Sequence, residues 1–348
     1  MRYTLLGKTG VRVSELALGT MTFGEDWGWG APRETSARLL DLYAEAGGTF
    51  LDTASTYTQG SSERILGELL DGRRDRFVLT TKYTAQTRAG DLNSAGNHRK
   101  NLVDSLETSL RRLRTDRVDL LWVHVRDTLT PVPEVMRALD DQVRAGKVLY
   151  VGVSDWPAWE VAQANTLAEL RDWSPFVALQ IRYNLLERTP ERELLPMAHV
   201  FDLPVLAWGP LAEGRLTGKY LRGEPGRLDL GGTFRPGEDN DAVVREVVAI
   251  AREGGWSPAQ VALAWLRQRG IIPLIGARSE AQLRDNLASA DVVLDASRVA
   301  RLDELSRPSL GFPHDVLRSD RIKASTYGDQ WGSVDDRRTT VRRTVADA

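Results

Sequence analysis

The chain has 348 residues, with 46 Lys plus Arg against 48 Asp plus Glu and a formal charge of -2, so no global excess of positive charge is present to hold a nucleic-acid backbone. Hydrophobic residues make up 42% and charged residues 27%, a balance that excludes wholesale disorder and suits either two average domains or one large α/β barrel. Cysteine is absent, which removes disulfides, zinc ribbons and thiol nucleophiles, and four histidines scattered at 98, 124, 199 and 314 do not suit a metal cluster.

The opening YTLLGKTGVRVSEL predicts a two-stranded hairpin turning near Lys8 to Gly10 and capping the closed end of a barrel. It has no long apolar core behind its single Arg, and no run of 18 apolar residues occurs later, so the expectation is a cytoplasmic protein with no membrane contact. Eight short β-branched or aliphatic runs follow: ELALGT (15–20), TFLDTA (49–54), RFVLTTK (76–82), VDLLWVH (118–124), VLYVGVS (148–154), FVALQIRY (176–183), PVLAWG (204–209) and IIPLIGA (271–277). Amphipathic stretches separate them. In NHRKNLVDSLETSLRRLR, Leu102, Leu106, Leu110 and Leu113 recur at spacings of four, four and three and draw one apolar stripe. SPAQVALAWLRQRG starts with a capping box, Ser257 and Gln260, has Pro258 at the first helical position and stops at Gly270. SEAQLRDNL repeats the box with Ser279 and Gln282. Residues 222–241, rich in Gly, Pro and charge, read as a long loop able to close over a substrate. Eight strands each followed by a helix favour a (β/α)8 TIM barrel over a doubly wound sheet, with a barrel domain over 1–310 and a polar C-terminal tail over 311–348 that could cover the mouth.

Several motifs fail. GKT at 7–9 lacks the earlier Gly of a P-loop, since position 2 is Arg, and Gly28 and Gly30 are followed by Arg33 where a dinucleotide fingerprint needs a third Gly. No HExxH, EF-hand loop or GxSxG is present.

In a barrel the chemistry sits at the C-terminal ends of the strands. There the runs offer Asp52 with Tyr57 five residues on, Lys82, and His124, all directed to one mouth. A phenol is a poor acid at neutral pH, and a neighbouring ammonium from Lys82 would bring its pKa down. Asp52 could keep that ammonium charged in a dry site, and His124 could orient a substrate carbonyl, with no metal required. Trp27 and Trp29 in FGEDWGWG would wall the pocket and favour apolar or aromatic carbonyl compounds, with Tyr57 and His124 also facing the substrate.

GGTFLDTASTYTQGSSERILG resembles the aldo-keto reductase superfamily signature, and TTKY, LLWVHVRD, YVGVSDW, ALQIRYNLLER, LAWGPLAEGRLTGKY and IPLIGARSEAQLRDN are similar to its later blocks in the same order, over roughly residues 1–310. The resemblance implies a (β/α)8 barrel that reduces aldehydes and ketones with NADPH, NADH being second choice, and Asp52, Tyr57, Lys82 and His124 as its catalytic tetrad. It implies that Gly19, Thr20, Met21 and Asp52 lie near the nicotinamide. Ser154, Asp155 and Gln180 would hold the carboxamide, with Asp155 standing where many relatives have Asn. Trp208 would stack on the ring, and Gly209, Pro210, Leu211, Gly214 and Lys219 would cover the pyrophosphate. Gly276, Arg278, Gln282 and Asn286 would bind the adenosine end. The helix N-terminus after Ser279 independently suits a phosphate, and Arg278 suits the 2'-phosphate of NADPH. Two other readings stand beside the reductase. One is a non-catalytic or slow, cofactor-sensing binding subunit resembling potassium-channel β subunits, which share Trp208 but depart from the tetrad at the position of His124. The other is a Schiff-base lyase built on Lys82. Oligomeric state is not legible in the sequence.

Overall fold

The structure is a computed structural model and describes residues 1–226, 240–328 and 330–333. Its N-terminal hairpin pairs β1 (Tyr3–Leu5) with β2 (Arg12–Ser14) antiparallel, as the sequence predicts. Eight parallel strands then close a barrel: β3 (Ala17–Gly19), β4 (Phe50–Asp52), β5 (Val78–Tyr83), β6 (Val118–Val123), β7 (Val148–Ser154), β8 (Phe176–Arg182), β9 (Val205–Trp208) and β10 (Ile272–Ile275), with β10 returning to β3. Each barrel strand coincides with one of the eight expected runs, β5 extending one residue past its run to Tyr83.

The barrel interior is filled by alternate residues of the strands. Ala17, Phe50, Leu120, Trp122, Ala178, Leu206 and Ile272 form one buried cluster, and Leu6 and Val13 of the hairpin complete it from below. Each fully buried leucine of this kind contributes about 1.5–3 kcal/mol. Gly7, at φ +59°, sits on the entry ends of β8 and β9, where a Cβ would lie 2.7 Å from the carbonyl oxygens of Val177 and Asp202. The hairpin therefore seals the N-terminal end and leaves the C-terminal end as the open face.

Outside the strands run α1 (Arg33–Glu45), α2 (Ser61–Leu69), α3 (Arg99–Leu113), α4 (Val132–Arg144), α5 (Ala158–Arg171), α6 (Leu194–Phe201), α7 (Asn240–Gly254), α8 (Pro258–Gln268), α9 (Glu280–Ala288) and α10 (Ala296–Leu305). The four leucines of α3 are all buried. Both halves of the capping box form at the start of α8. At α9 only one half forms: Ser279 accepts from Gln282 N, but the Gln282 side chain accepts from Arg278 N, one residue earlier than the box requires. Helix α7 begins where the expected loop 222–241 ends and adds a second helix between β9 and β10, burying Val243, Val244, Val247 and Ile250. Residues 227–239 of that loop lie outside the described residues, as does most of the tail beyond 328. The described part of the tail is not featureless: α11 (His314–Arg318) and α12 (Asp320–Tyr327) follow α10, with His314 3.6 Å from Glu193. Among the described residues no helix is long and apolar enough to cross a membrane.

Candidate active site

Register places the first polar groups of the mouth. Asp52 is paired with Thr80 across β4 and β5, and Lys82 lies two residues on, so both β5 side chains share the inward face. Asp52 and Lys82 are fully buried and form a salt bridge. The Lys82 Nζ also donates to the Thr53 carbonyl at 2.9 Å and lies 3.1 Å from the Tyr57 hydroxyl. The second Asp52 oxygen accepts from Thr80 Oγ1 at 2.9 Å and Gln180 Nε2 at 3.0 Å, and Trp122 Nε1 donates to the same Thr80 hydroxyl at 3.0 Å. Thr80 and Trp122 are thus part of the site although nothing in the local sequence singles them out. The mark that the Trp122 packing leaves in the sequence is Gly152 on the neighbouring strand, where a Cβ would lie 2.5 Å from the Trp122 ring.

Tyr57 is delivered by the turn after β4. Thr58, Gln59 and Gly60 stand in succession at φ 43°, 52° and 87°, and left-handed backbone at the two non-glycine residues costs about 1–3 kcal/mol each. The surroundings hold the turn in that shape. Thr58 Oγ1 donates to the Phe23 carbonyl at 2.6 Å and accepts from Ser62 N at 3.1 Å, while Arg112 donates to the Ser55 carbonyl at 2.8 Å. Arg112 is itself held by buried Glu63, which accepts from Thr81 Oγ1. The His124 ring meets Tyr57 edge-on, with centroids 5.9 Å apart and planes at 80°. The four strand-end residues are therefore gathered in one place.

Their electrostatics depart from the simple expectation for the phenol. Burial raises the Tyr57 pKa and the Lys82 charge opposes it, but the net direction is upward. Lys82 lowers the value relative to a site without it and does not bring it below that of a free tyrosine. For Lys82 itself, burial would favour loss of the proton, yet the facing Asp52 carries the balance upward and keeps the ammonium charged. His124 is pushed down to about 3 by burial and by the Lys82 charge, so its ring is neutral. Its Nδ1 is buried with no hydrogen-bond partner among the described residues.

Most of the other expected residues stand at or just beyond the C-terminal ends of β3, β7, β8, β9 and β10. Thr22 Oγ1 donates to the Ala277 carbonyl at 2.8 Å and joins the loops after β3 and β10, with Met21 and Arg278 the chain neighbours of the two bonded residues and Gly19 close to Gly276. Thr20 is fully buried and its hydroxyl is used within the fold, bonded to the Asp52 carbonyl at 3.0 Å and to Ser62 at 2.8 Å, so its side chain is not offered to a ligand. Ser154 is buried at the end of β7. Asp155, the next residue, has φ 51°, and its carboxylate accepts from Trp208 Nε1 at 3.0 Å. Crowding by protein raises its pKa to about 6, against the opposing effects of that bond and of Arg182. Arg182 itself lies over the half-buried Trp208 ring, 4.8 Å from its centroid. Beyond it, Asn184 donates to the Gly209 carbonyl at 2.9 Å, Pro210 is buried, Leu211 is half-buried, and Lys219 folds against Gly214.

Nicotinamide cofactors serve the enzymes that this chain resembles, and two features of the surface fit such a group. A Cβ on Gly276 would touch nothing closer than 4.0 Å, which leaves open room at the rim. Arg278 is exposed beside the α9 N-terminus, and its guanidinium has no hydrogen bond or ion pair among the described residues. Gln282 is exposed nearby, whereas Asn286 is buried and donates to the Gly276 carbonyl at 3.2 Å. Trp27 and Trp29 pack on each other with centroids 5.6 Å apart. Their loop lies against the Tyr57 turn through Gln59, which donates to the Asp26 carbonyl at 3.4 Å. Among the described residues no group of three or more His, Asp or Glu could hold a metal ion.

The model of the Aldo/keto reductase family matches residues 15–307. The aldo-keto reductase ausK of Emericella nidulans is 35% identical over 339 residues, covering 92% of this chain and 85% of the relative. A norsolorinic acid reductase of the same organism is 38% identical over 317 residues, covering 87% and 81%. An aryl-alcohol dehydrogenase of Pestalotiopsis microspora is 35% identical over 333 residues, covering 91% and 85%. With the closed barrel and the ordered sequence blocks, these matches establish that the chain belongs to the aldo/keto reductase family.

Proposed function

We propose that this protein reduces aldehydes and ketones to alcohols with NADPH, that its substrates are apolar or aromatic carbonyl compounds, and that Asp52, Tyr57, Lys82 and His124 carry the proton chemistry. The observation that carries this reading is the Tyr57 hydroxyl 3.1 Å from a buried ammonium that Asp52 keeps charged. When bound, the cofactor supplies a hydride to the carbonyl carbon. The chain's own part is to give the carbonyl oxygen its proton. A phenol with a raised pKa is fully protonated at neutral pH and so ready to donate, and the adjacent Lys82 charge stabilises the phenolate left behind. His124 serves as a neutral donor: with Nδ1 buried and unpartnered, a proton on Nε2 avoids stranding an N-H in a dry site.

For the cofactor, Arg278 and the α9 N-terminus suit the 2'-phosphate, Gln282 and Asn286 the adenosine, and Ser154, Asp155 and Gln180 the carboxamide. Gln180 already donates to Asp52, so it would offer its carbonyl oxygen to the carboxamide N-H. Trp208 offers a flat surface for the ring, and Gly209 to Lys219 would pass over the pyrophosphate. Trp27 and Trp29 present aromatic surface beside the Tyr57 turn, in keeping with the names of the norsolorinic acid reductase and aryl-alcohol dehydrogenase relatives. We read residues 1–310 as one catalytic domain working in the cytoplasm, with 311–348 as its tail.

The test is carbonyl-dependent oxidation of NADPH, followed by loss of its absorbance across a panel of aryl aldehydes, aryl ketones and sugars, in the wild type and in Tyr57→Phe. Turnover in the wild type and none in the Phe variant, with cofactor affinity retained, is expected. An active Phe variant, or a wild type that oxidises NADPH with no member of the panel, overturns the reading.

A further inference from the structure

Among the described residues, His124 is oriented without a hydrogen bond to its buried ring nitrogen. Imidazoles that act at a mouth are usually held by a bond to the second nitrogen, yet His124 Nδ1 is buried and has no hydrogen-bond partner among the described residues. Beside the edge contact with Tyr57, the position of the ring rests on the backbone that carries it. The His124 N-H is shared between the Tyr83 carbonyl and Thr84 Oγ1, each at 3.2 Å. Thr84 is buried and stands at φ 106°, a conformation that a β-branched residue adopts only when its surroundings impose it.

The surroundings that impose it converge on Asn97, in the loop between β5 and α3 and fully buried. Its Nδ2 donates to Thr84 Oγ1 at 2.8 Å and to the Val125 carbonyl at 3.1 Å, so one amide group grips both the hydroxyl that receives the His124 N-H and the residue that follows His124. Its Oδ1 accepts from Asp127 N at 2.7 Å, and its own N-H donates to Asp127 Oδ2 at 2.9 Å. The Tyr83 hydroxyl donates to the Asn97 carbonyl at 3.1 Å. Two donors and one acceptor on a short planar group are needed, and among side chains of this length only asparagine supplies them.

We propose that Asn97 is a positioning residue for His124: it ties Thr84 and Val125 into a brace that aims the imidazole at the substrate carbonyl. This rests on the reductase reading above. Asn97→Asp keeps the volume and the acceptor but loses both donors, and Thr84→Val removes the hydroxyl that holds the His124 N-H. Both variants are assayed for NADPH affinity, for kcat and KM with an aryl aldehyde, and by nitrogen NMR of the four labelled histidines, His124 being assigned from its absence in His124→Ala. The expected result is unchanged NADPH affinity, a kcat lowered by up to about 100-fold with KM little changed, and a displaced His124 imidazole signal. Placed on a His124→Ala background, Asn97→Asp should cost no further activity. An additive loss on that background, or an imidazole signal identical to the wild type, overturns the brace. If Asn97→Asp does not fold, Thr84→Val decides by the same readouts. A wild type without carbonyl-dependent turnover would sink the reductase reading instead, and the imidazole signal would still decide whether Asn97 holds His124.

Discussion

Replacing Lys82 with methionine tests the physical basis of the site without reference to any substrate. Lys82 and Asp52 are both wholly buried, and Nζ serves three acceptors at once: Asp52, the Thr53 carbonyl and the Tyr57 oxygen. In Lys82→Met the Asp52 carboxylate keeps its bonds from Thr80 and Gln180, but those donors are neutral and the counter-charge is gone. Removing one partner of a buried ion pair costs about 3–5 kcal/mol, because the remaining ion stays desolvated. Asp52→Asn should cost a similar amount by stranding the ammonium. The double variant Asp52→Asn/Lys82→Met strands neither charge, and its stability should return to within about 1–2 kcal/mol of the wild type. Urea unfolding followed by tryptophan fluorescence and far-ultraviolet circular dichroism measures all four proteins. Single-variant losses below about 1 kcal/mol would refute the reasoning, because that is the range of an exposed pair. So would a double variant as unstable as the sum of the two singles.

Asp155 should titrate near pH 6 and carry the Trp208 indole signal with it, since Trp208 Nε1 donates to its carboxylate. In Asp155→Asn that titration should vanish, and an indole signal that still moves there would show the assignment to be wrong. The sign for stability follows from the raised value: the fold holds this proton more tightly than the unfolded chain, so the group favours the fold at acid pH and that contribution is lost as pH rises through about 6. His124, pushed down to about 3, should leave no inflection near the ordinary imidazole value in the pH profile of kcat. An inflection there that disappears in His124→Ala would contradict a neutral ring. Arg278→Ala should change unfolding free energy by no more than about 0.5 kcal/mol, as expected for an exposed side chain, and should weaken NADPH while leaving NADH unaffected. Equal weakening of both by direct titration would remove Arg278 from the 2'-phosphate.

Much of this protein was legible from local pattern. Short aliphatic strands alternating with striped helices are a local property, and all eight barrel strands fall where that pattern puts them, as does the Ser257 cap of α8. Asp52, Lys82 and His124 could be picked out because a parallel barrel presents its strand ends to one face, and the sequence marks those ends. Helix α7 was obscured by the Gly- and Pro-rich stretch before it, although Val243, Val244, Val247 and Ile250 carry a helical spacing.

What depended on the tertiary structure was each relationship between segments far apart in the chain. The sequence shows a tyrosine, a lysine and an aspartate. Only their packing shows that burial outweighs the ammonium at Tyr57 and that Asp52 outweighs burial at Lys82, because both balances turn on distance and exclusion of water. Nor could the chain as a string reveal that Thr20 spends its hydroxyl inside the fold, that Trp122 reaches Thr80, or that Asn97 ties Thr84 to Val125 beside His124. Periodicity reports which face a residue lies on. A hydrogen bond also needs direction and a separation near 3 Å, and these exist only once the barrel has closed.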